Sequence, residues 1–382
     1  MQKFERTRKL SSERRDVFYK WLHYGGIVIG PSYGTGGHDL KSLDKDETAA
    51  VLSQASIPDE LRAALETTNT DDAKYEVDFG SCTKGFLSRS ASDLYAFDRL
   101  EDASLVTTTI ERFLDYLLQH DVCPEYNEQI LSTRDFCREA NLELWDCAEA
   151  GRLMPGQFNV ACSTLAGGQY ANYDGETDWG NNDPSQPVFV GLSQEEAETM
   201  IRFAVLNVAS EPVYQHYYQL VHNGDDLEVV ETIHGQGFEI VDIVAPTADC
   251  KDFYKQNSTT FRPMGKVIAK PWTNPDSPPE DLTQEEMDEV IDGVDNDARY
   301  EFFVEEIIQQ HMSINQKVVA TIHKLNCGIW FFDEVARVLP DFDVWLFNDL
   351  VEDYKEPRWL KGAYVPGAPD WKQDLDDKID QH

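Results

Sequence analysis

Four glycines, Gly30, Gly34, Gly36 and Gly37, follow the short apolar run Ile27-Val28-Ile29 in the stretch GGIVIGPSYGTGGHDLK, residues 25 to 41. Glycine-rich loops after strands cradle phosphates, so a nucleotide site is the first chemistry to test. The parts do not assemble. A P-loop needs Lys and then Ser or Thr after its last glycine, and here His38 and Asp39 follow Gly37. Asp39 would repel a phosphate. The glycines are also misplaced for a dinucleotide fingerprint that opens a helix, so the stretch reads as a compact Gly/Pro loop.

Metal and nucleophile chemistry fare no better. His120 and Cys123 make one close pair, with Cys137 and Cys147 further on, but a structural zinc site shows two close pairs. Asp174, Glu176 and Asp178 fall at calcium-loop spacing, yet Trp179 stands where a glycine is needed and Ser185 where a bidentate Glu is needed. No G-x-S-x-G elbow occurs, the histidines are scattered, and facing carboxylates arise by chance in a chain this acidic. The expectation is no catalytic residue, no metal and no cofactor.

The chain has 382 residues, a formal net charge of −37, 41% hydrophobic and 11% aromatic residues. That is globular composition, with length for more than one folding unit. The charge argues against direct duplex binding, which needs Lys and Arg, and favours a basic protein partner or high solubility. Seven cysteines without C-x-x-C spacing, and no signal-peptide pattern, are expected to be free thiols in the nucleus or cytoplasm. No stretch is long and apolar enough for a membrane span.

The periodicities that would position any site divide the chain. Ser11 or Ser12 caps a helix carrying Val17, Phe18, Trp21 and Leu22, stopped by Gly25-Gly26. Val106, Ile110, Phe113, Leu114 and Leu117 form a helical stripe over 103–121. Pro124 opens the next helix, which ends near Gly151. Residues 169–187 read as a long loop, and Ser193 with Glu196 forms a capping box for a helix through Val208. After Pro212 the pattern becomes strand-like: VYQHYYQLV and LEVVETI flank Asn223-Gly224, a hairpin signal, and FEIVDIVAP follows. Thr283 and Glu286 cap a helical region running through Phe302, Phe303, Ile307 and Ile308. KVVATIHKL and GIWFFDEVARVL return to strands, and DVWLFNDLVEDYK reads as a short helix. The expected class is α+β, a mainly helical N-terminal half packed with a C-terminal half of antiparallel strands and helices. Its divisions are 1–168 helical, 169–192 linker, 193–369 α+β and 370–382 acidic tail.

Several stretches in order resemble one family, the fungal Argonaute-binding subunit of the Argonaute siRNA chaperone (ARC) complex: FYKWLHYGGIVIGP (18–31), YEVDFGSCTKGFLS (75–88), TTTIERFLDYLLQHDVCPEY (107–126), GQFNVACSTLAGGQY (156–170), FEIVDIVAP (238–246), MGKVIAKPW (264–272) with DLTQEE (281–286), and YEFFVEEII (300–308). On this resemblance the glycine-rich loop belongs to the family's first block. The resemblance implies a non-catalytic subunit that binds Argonaute in a complex holding duplex siRNA, opposes passenger-strand cleavage and release, and supports heterochromatin formation. Its implied partners are Argonaute and a further ARC subunit, with siRNA touched only indirectly. The chain starts almost at the first block, so functions in any longer family extension are not expected here.

Two partner-binding candidates follow. Residues 271–311 hold thirteen acidic residues and one basic residue, Arg299; Glu285, Glu286, Asp288, Glu289, Glu305 and Glu306 are expected to face solvent and steer a basic partner. Trp179-Gly180, among Asp178, Asn181, Asn182 and Pro184, resembles the Trp hooks that Argonaute proteins accept from flexible partners. Two other readings stay open. One is direct RNA binding through Arg6, Arg8, Lys9, Arg14 and Arg15 with Tyr217, Tyr218 and Trp330 as stacking platforms. The other is an enzyme with an unfamiliar site.

Overall fold

The computed structural model describes Phe4 and residues 10–25, 78–171, 192–234, 237–274 and 298–346. The glycine-rich loop beyond Gly25, Trp179 and Gly180, and Glu285, Glu286, Asp288 and Glu289 lie outside the described residues.

The N-terminal half is helical. Helix α1 (Ser12–Tyr24) starts where the Ser11 hydroxyl accepts the Arg14 N–H, and it buries Val17, Phe18, Trp21 and Leu22. Helix α2 (Phe79–Gly85) winds through a π-helical turn (Phe86–Ser90) into α3 (Ala91–Leu94). Helices α4 (Leu100–Gln119) and α5 (Asn127–Leu153) are joined by a 3-10 turn, Pro124–Tyr126, with Pro at its start. They run antiparallel: Ser104 meets Asn141, Glu111 meets Arg138 and Asp115 meets Arg134. The stripe expected on α4 faces a core in which Phe18 and Phe113 lie 4.9 Å apart and Phe4 sits 5.2 Å from Phe113. Burial of each such ring contributes about 1.5–3 kcal/mol.

The C-terminal half is built on six strands: β1 (Val229–Ile233), β2 (Gly237–Val244), β3 (Met264–Trp272), β4 (Tyr300–Glu305), β5 (Lys317–Leu325) and β6 (Trp330–Leu339). Their order is β1-β5-β2-β3-β4-β6, and β6 pairs back onto β5. The pairings therefore close a ring, β2-β3-β4-β6-β5-β2, antiparallel except for a short parallel contact at Phe302 and Trp330. Closure removes the exposed edges that an open sheet would present. Strand β1 continues the line of β2 along β5. Inside the ring Phe238, Phe302 and Phe332 form a triangle with centroids 4.7 to 5.1 Å apart, surrounded by Ile240, Val267, Val304, Val318 and Ile322. The same core takes in Ala150 and Met154 at the end of α5. A short helix α10 (Glu306–Gln309) links β4 to β5. Ring order, parallel seam and linking helix are those of an OB-type barrel, a topology that by itself assigns no function.

A helical layer covers the seam: α6 (Gln157–Ala166), α7 (Gln194–Val208), α8 (Glu211–Asn223) and α9 (Ala248–Asn257). Phe158, Cys162, Met200, Ile201, Tyr217 and Tyr254 from these helices pack on Phe303, Leu325 and Phe331 from the outer side of the strands. Packing is thus continuous across residue 168.

The α+β class and the helical first half are as the sequence implies, but three segments differ. Residues 213–221 are the body of α8 and not a strand: Pro212 sits in its first turn, and Gly224 caps its end in the left-handed conformation at φ 77° rather than turning a hairpin. Residues 300–305 form β4, not a helix, because Tyr300, Phe302 and Val304 fill the barrel while Phe303 serves the helical layer. Residues 264–272, to which the sequence pattern assigns no element, form β3; burial alternates from Gly265 to Lys270, but the buried positions include the small Gly265 and Ala269 and Pro271 interrupts the end.

Candidate functional site

Several of the described polar residues that could do chemistry lie where α6 meets the barrel. Glu305 is the first surprise. It is not a rim charge but 2% exposed, with its carboxylate set against the start of α6. Its Oε1 accepts the Phe158 N–H at 2.9 Å, and Oε2 has no hydrogen-bond partner. Helix N-termini attract anions through free N–H groups and the helix dipole, which explains why a carboxylate ends there. Desolvation is the stronger influence, however, and despite the backbone N–H groups it pushes the Glu305 carboxyl up to about 7. Gly156 makes the approach possible. It lies at φ 87°, and any side chain there would strike the Glu305 carboxylate and Ile308. Glu306 does reach the surface, where it pairs with Lys251.

Asn159, fully buried, stitches the parallel seam. Its Nδ2 donates to the Pro155 carbonyl at 2.7 Å, and its Oδ1 accepts the Phe332 N–H at 3.2 Å. It supplies a backbone partner to β6 where the ladder is interrupted.

One turn further along α6, Ser163 meets Asp333 and His323, and the three have the residue types of a catalytic triad in the wrong order. Asp333 stands in the middle. Ser163 Oγ donates to Asp333 Oδ2 at 2.6 Å, and His323 Nε2 meets Asp333 Oδ1 at 3.0 Å. A nucleophilic Ser must give its proton to the imidazole, and this Ser faces a carboxylate. His323 Nδ1 is occupied by the Thr232 hydroxyl at 3.1 Å, its cross-strand neighbour. The Gln169 N–H completes the set on Asp333 at 3.0 Å. Burial pushes the Asp333 carboxyl up, but the bonds from His323, Ser163 and Gln169 outweigh it and hold the group below the usual carboxylate range. The network holds the chain at Gln169 onto the barrel.

A second anchor joins the two halves. Arg89, in the π-helical turn, donates to both oxygens of Asp343 at 2.8 and 2.6 Å and to Asn274 Oδ1 at 3.2 Å. Arg89 and Asp343 are 6% and 4% exposed. The planar fork matches the carboxylate in both bonds. It fixes the chain just after β3 and just after β6 to the helical half.

Apart from Tyr218, the remaining described candidates are paired or buried in whole or in part. Burial raises the thiols of Cys82 and Cys137 to about 12, so neither is a thiolate at neutral pH. Cys137 and Cys147 lie on the buried side of α5, as their spacing implies. A cleft of 310 Å³ between α3, α5 and β6 holds two guanidiniums, but Arg337 is paired with Asp93, and Arg152 with Asp98 and Glu149. Arg14 bonds Thr108 and Thr109, while Arg6, Arg8 and Lys9 lie outside the described residues. Tyr217 is buried, Tyr218 is exposed, and Trp330 is half-buried beneath the Lys324 ammonium. On the outer side of β2, β3 and β4 the lysines are matched one to one, Lys270 with Glu239 and Lys266 with Glu301, both at 2.9 Å. No helix among the described residues is long and apolar enough to cross a membrane.

Fold and anchors together define an α+β scaffold whose buried polar groups hold one element to another. The family model of the Argonaute siRNA chaperone (ARC) complex subunit Arb1 matches residues 1–357, and the chain belongs to that family. It is similar to Argonaute-binding protein 1 of Schizosaccharomyces pombe, 26% identical over 184 residues, which are 48% of this chain and 43% of that protein. The match thus spans less than half of the relative's length. No solved structure matches the chain.

Proposed function

We propose that this chain is a non-catalytic, Argonaute-binding regulatory subunit of a small-RNA chaperone complex. It holds Argonaute with duplex siRNA, opposes passenger-strand cleavage and release, and acts in RNA interference and heterochromatin formation, in nucleus and cytoplasm. The observation that carries the reading is family membership over residues 1–357. Two structural points support it. The block GQFNVACSTLAGGQY supplies Gly156, Asn159, Ser163 and Gln169, whose roles in the fold are all positional. The matched lysine pairs on the barrel leave little positive charge for RNA, so siRNA is reached through Argonaute.

Trp179 and Gly180 are proposed as the hook that enters an Argonaute pocket, and Glu285, Glu286, Asp288, Glu289 and Glu306 as charges that steer the encounter. The test is co-purification with Argonaute, with and without RNase. Retention after RNase is expected, and complete loss on RNase treatment would replace the reading with RNA-mediated association. Trp179→Ala should weaken co-purification by at least about tenfold, roughly 1.4 kcal/mol, with the melting temperature nearly unchanged. A large fall in melting temperature would make Trp179 a core residue.

A further inference from the structure

From Phe203 to Cys250 the chain has no lysine or arginine, while Glu211, Asp225, Asp226, Glu228 and Glu231 fall within that stretch. Helix α8 lies inside it. One side of α8 packs through Val213, Tyr217 and Leu220 on the helical layer. Toward solvent run Tyr214, Tyr218 and His222 in steps of four residues, Tyr214 half-buried against the same core and the other two exposed. Their rings form a ladder: Tyr214 and Tyr218 are stacked at 6.3 Å with 23° between planes, and Tyr218 and His222 at 6.0 Å with 7°. Tyr218 is 55% exposed and Val221 beside it 43%. An aromatic face left open to water is a feature of binding surfaces.

The charge around the ladder selects the occupant. The ladder climbs toward the C-terminus of α8, where the helix dipole is negative, and the chain leaves it through Gly224 into exposed Asp225 and Asp226. Phosphates are repelled there. A guanidinium suits both parts of the surface: it stacks flat on a Tyr or His ring and bonds a carboxylate through its fork. A lysine ammonium meets the charge but lacks the planar face.

We propose that the outer face of α8, with the Asp225-Asp226 turn at its end, docks an arginine-bearing basic segment of a protein partner. The functional reading above enters only as to which protein supplies the segment.

The test uses the full chain and a fluorescent peptide of alternating Arg and Gly, with the Lys-Gly peptide as its match, read by anisotropy at physiological salt. The Arg peptide is expected to bind more tightly than the Lys peptide. Tyr218→Ala should weaken it at least about tenfold, and the exposed position makes this a safe change for folding. Asp225→Asn with Asp226→Asn should weaken binding and flatten its salt dependence. Glu125→Gln with Glu128→Gln, an exposed acidic pair before and within the first turn of α5, should leave it unchanged. Equal losses from the two neutralised pairs, or full affinity in Tyr218→Ala, would reduce the effect to the chain's overall charge and overturn the proposal. So would a single-stranded RNA that binds in a Tyr218-dependent way. Argonaute is assayed separately. Loss of peptide binding in Tyr218→Ala with Argonaute still co-purifying supports the surface and assigns it to another basic protein. If Argonaute fails to co-purify with the unaltered chain, the functional reading falls and the peptide result alone decides this surface.

Discussion

Replacing Glu305 by Gln should change how stability depends on pH. The carboxyl is buried, one oxygen has no partner, and its folded value is about 7 against an ordinary 4.5. The folded state thus holds the proton more tightly than the unfolded chain. Its contribution is intact below about pH 4.5 and is lost as pH rises through 7. The full difference is about 3 kcal/mol, since each tenfold gain in proton affinity is worth about 1.4 kcal/mol, and roughly 2 kcal/mol of it falls between about pH 5.5 and 7.5. Gln is neutral throughout. Its carbonyl can keep the Phe158 N–H, and its amide replaces the charge that α6 does not fully compensate.

The measurement is urea unfolding of wild type and Glu305→Gln in matched buffers across that range. Other carboxylates, Asp333 among them, titrate in the opposite sense, so the quantity to read is the difference between the two proteins. Glu305→Gln should gain about 2 kcal/mol on wild type as the pH rises over this range. Parallel curves would refute the argument, because they would mean the carboxyl titrates alike folded and unfolded. Glu305→Lys should fail to fold, since it places a cation against the positive end of α6.

Breaking the Arg89 anchor with Asp343→Asn should cost about 3–5 kcal/mol in chemical denaturation, the cost of leaving a buried guanidinium without its charge partner; a loss below about 1 kcal/mol would show the pair is solvated. Gly156→Ala should destabilise the chain by at least about 2 kcal/mol, and Glu305→Ala in the same chain should recover part of the loss if the clash is with that carboxylate. Asp333→Asn should speed proteolysis near Gln169 without abolishing the fold; an unchanged cleavage pattern would deny the network its anchoring role. The isolated chain should bind duplex siRNA only weakly at physiological salt, and sub-micromolar, salt-sensitive binding in a gel shift would contradict that.

The helices with one wet face were legible in the sequence. Helix α4 shows its stripe because only one side of it meets a core, and α7 shows its capping box because Ser193 and Glu196 form one. Elements packed on both sides hid their period. Strand β4 puts Phe302 into the barrel and Phe303 into the helical layer, so the two aromatics side by side imitate a helical face. Helix α8 was obscured in another way: its Val and Tyr residues favour strands, and Asn223-Gly224 suits a hairpin as well as a helix end. The distinguishing signal was Pro212, which belongs in a first helical turn. Barrel closure leaves no local mark, because β2 meets β5 almost eighty residues away.

Site residues were misplaced for a related reason. Counting charges along 271–311 treats every carboxylate as solvated, but a carboxylate one residue from an exposed one can point the other way at the end of a strand. Glu305 and Glu306 do so: one closes the start of α6 and the other pairs with Lys251 at the surface. An acidic run therefore predicts a docking surface only where the backbone leaves its side chains in water. By that criterion the stretch around α8 is the better supported surface, since its carboxylates follow the exposed rings of Tyr218 and His222. The matched lysines on the barrel point the same way. With Lys266 and Lys270 paired to carboxylates on the barrel and a net charge of −37 over the chain, the potential left to offer is negative, and a basic protein is the partner that such a potential selects.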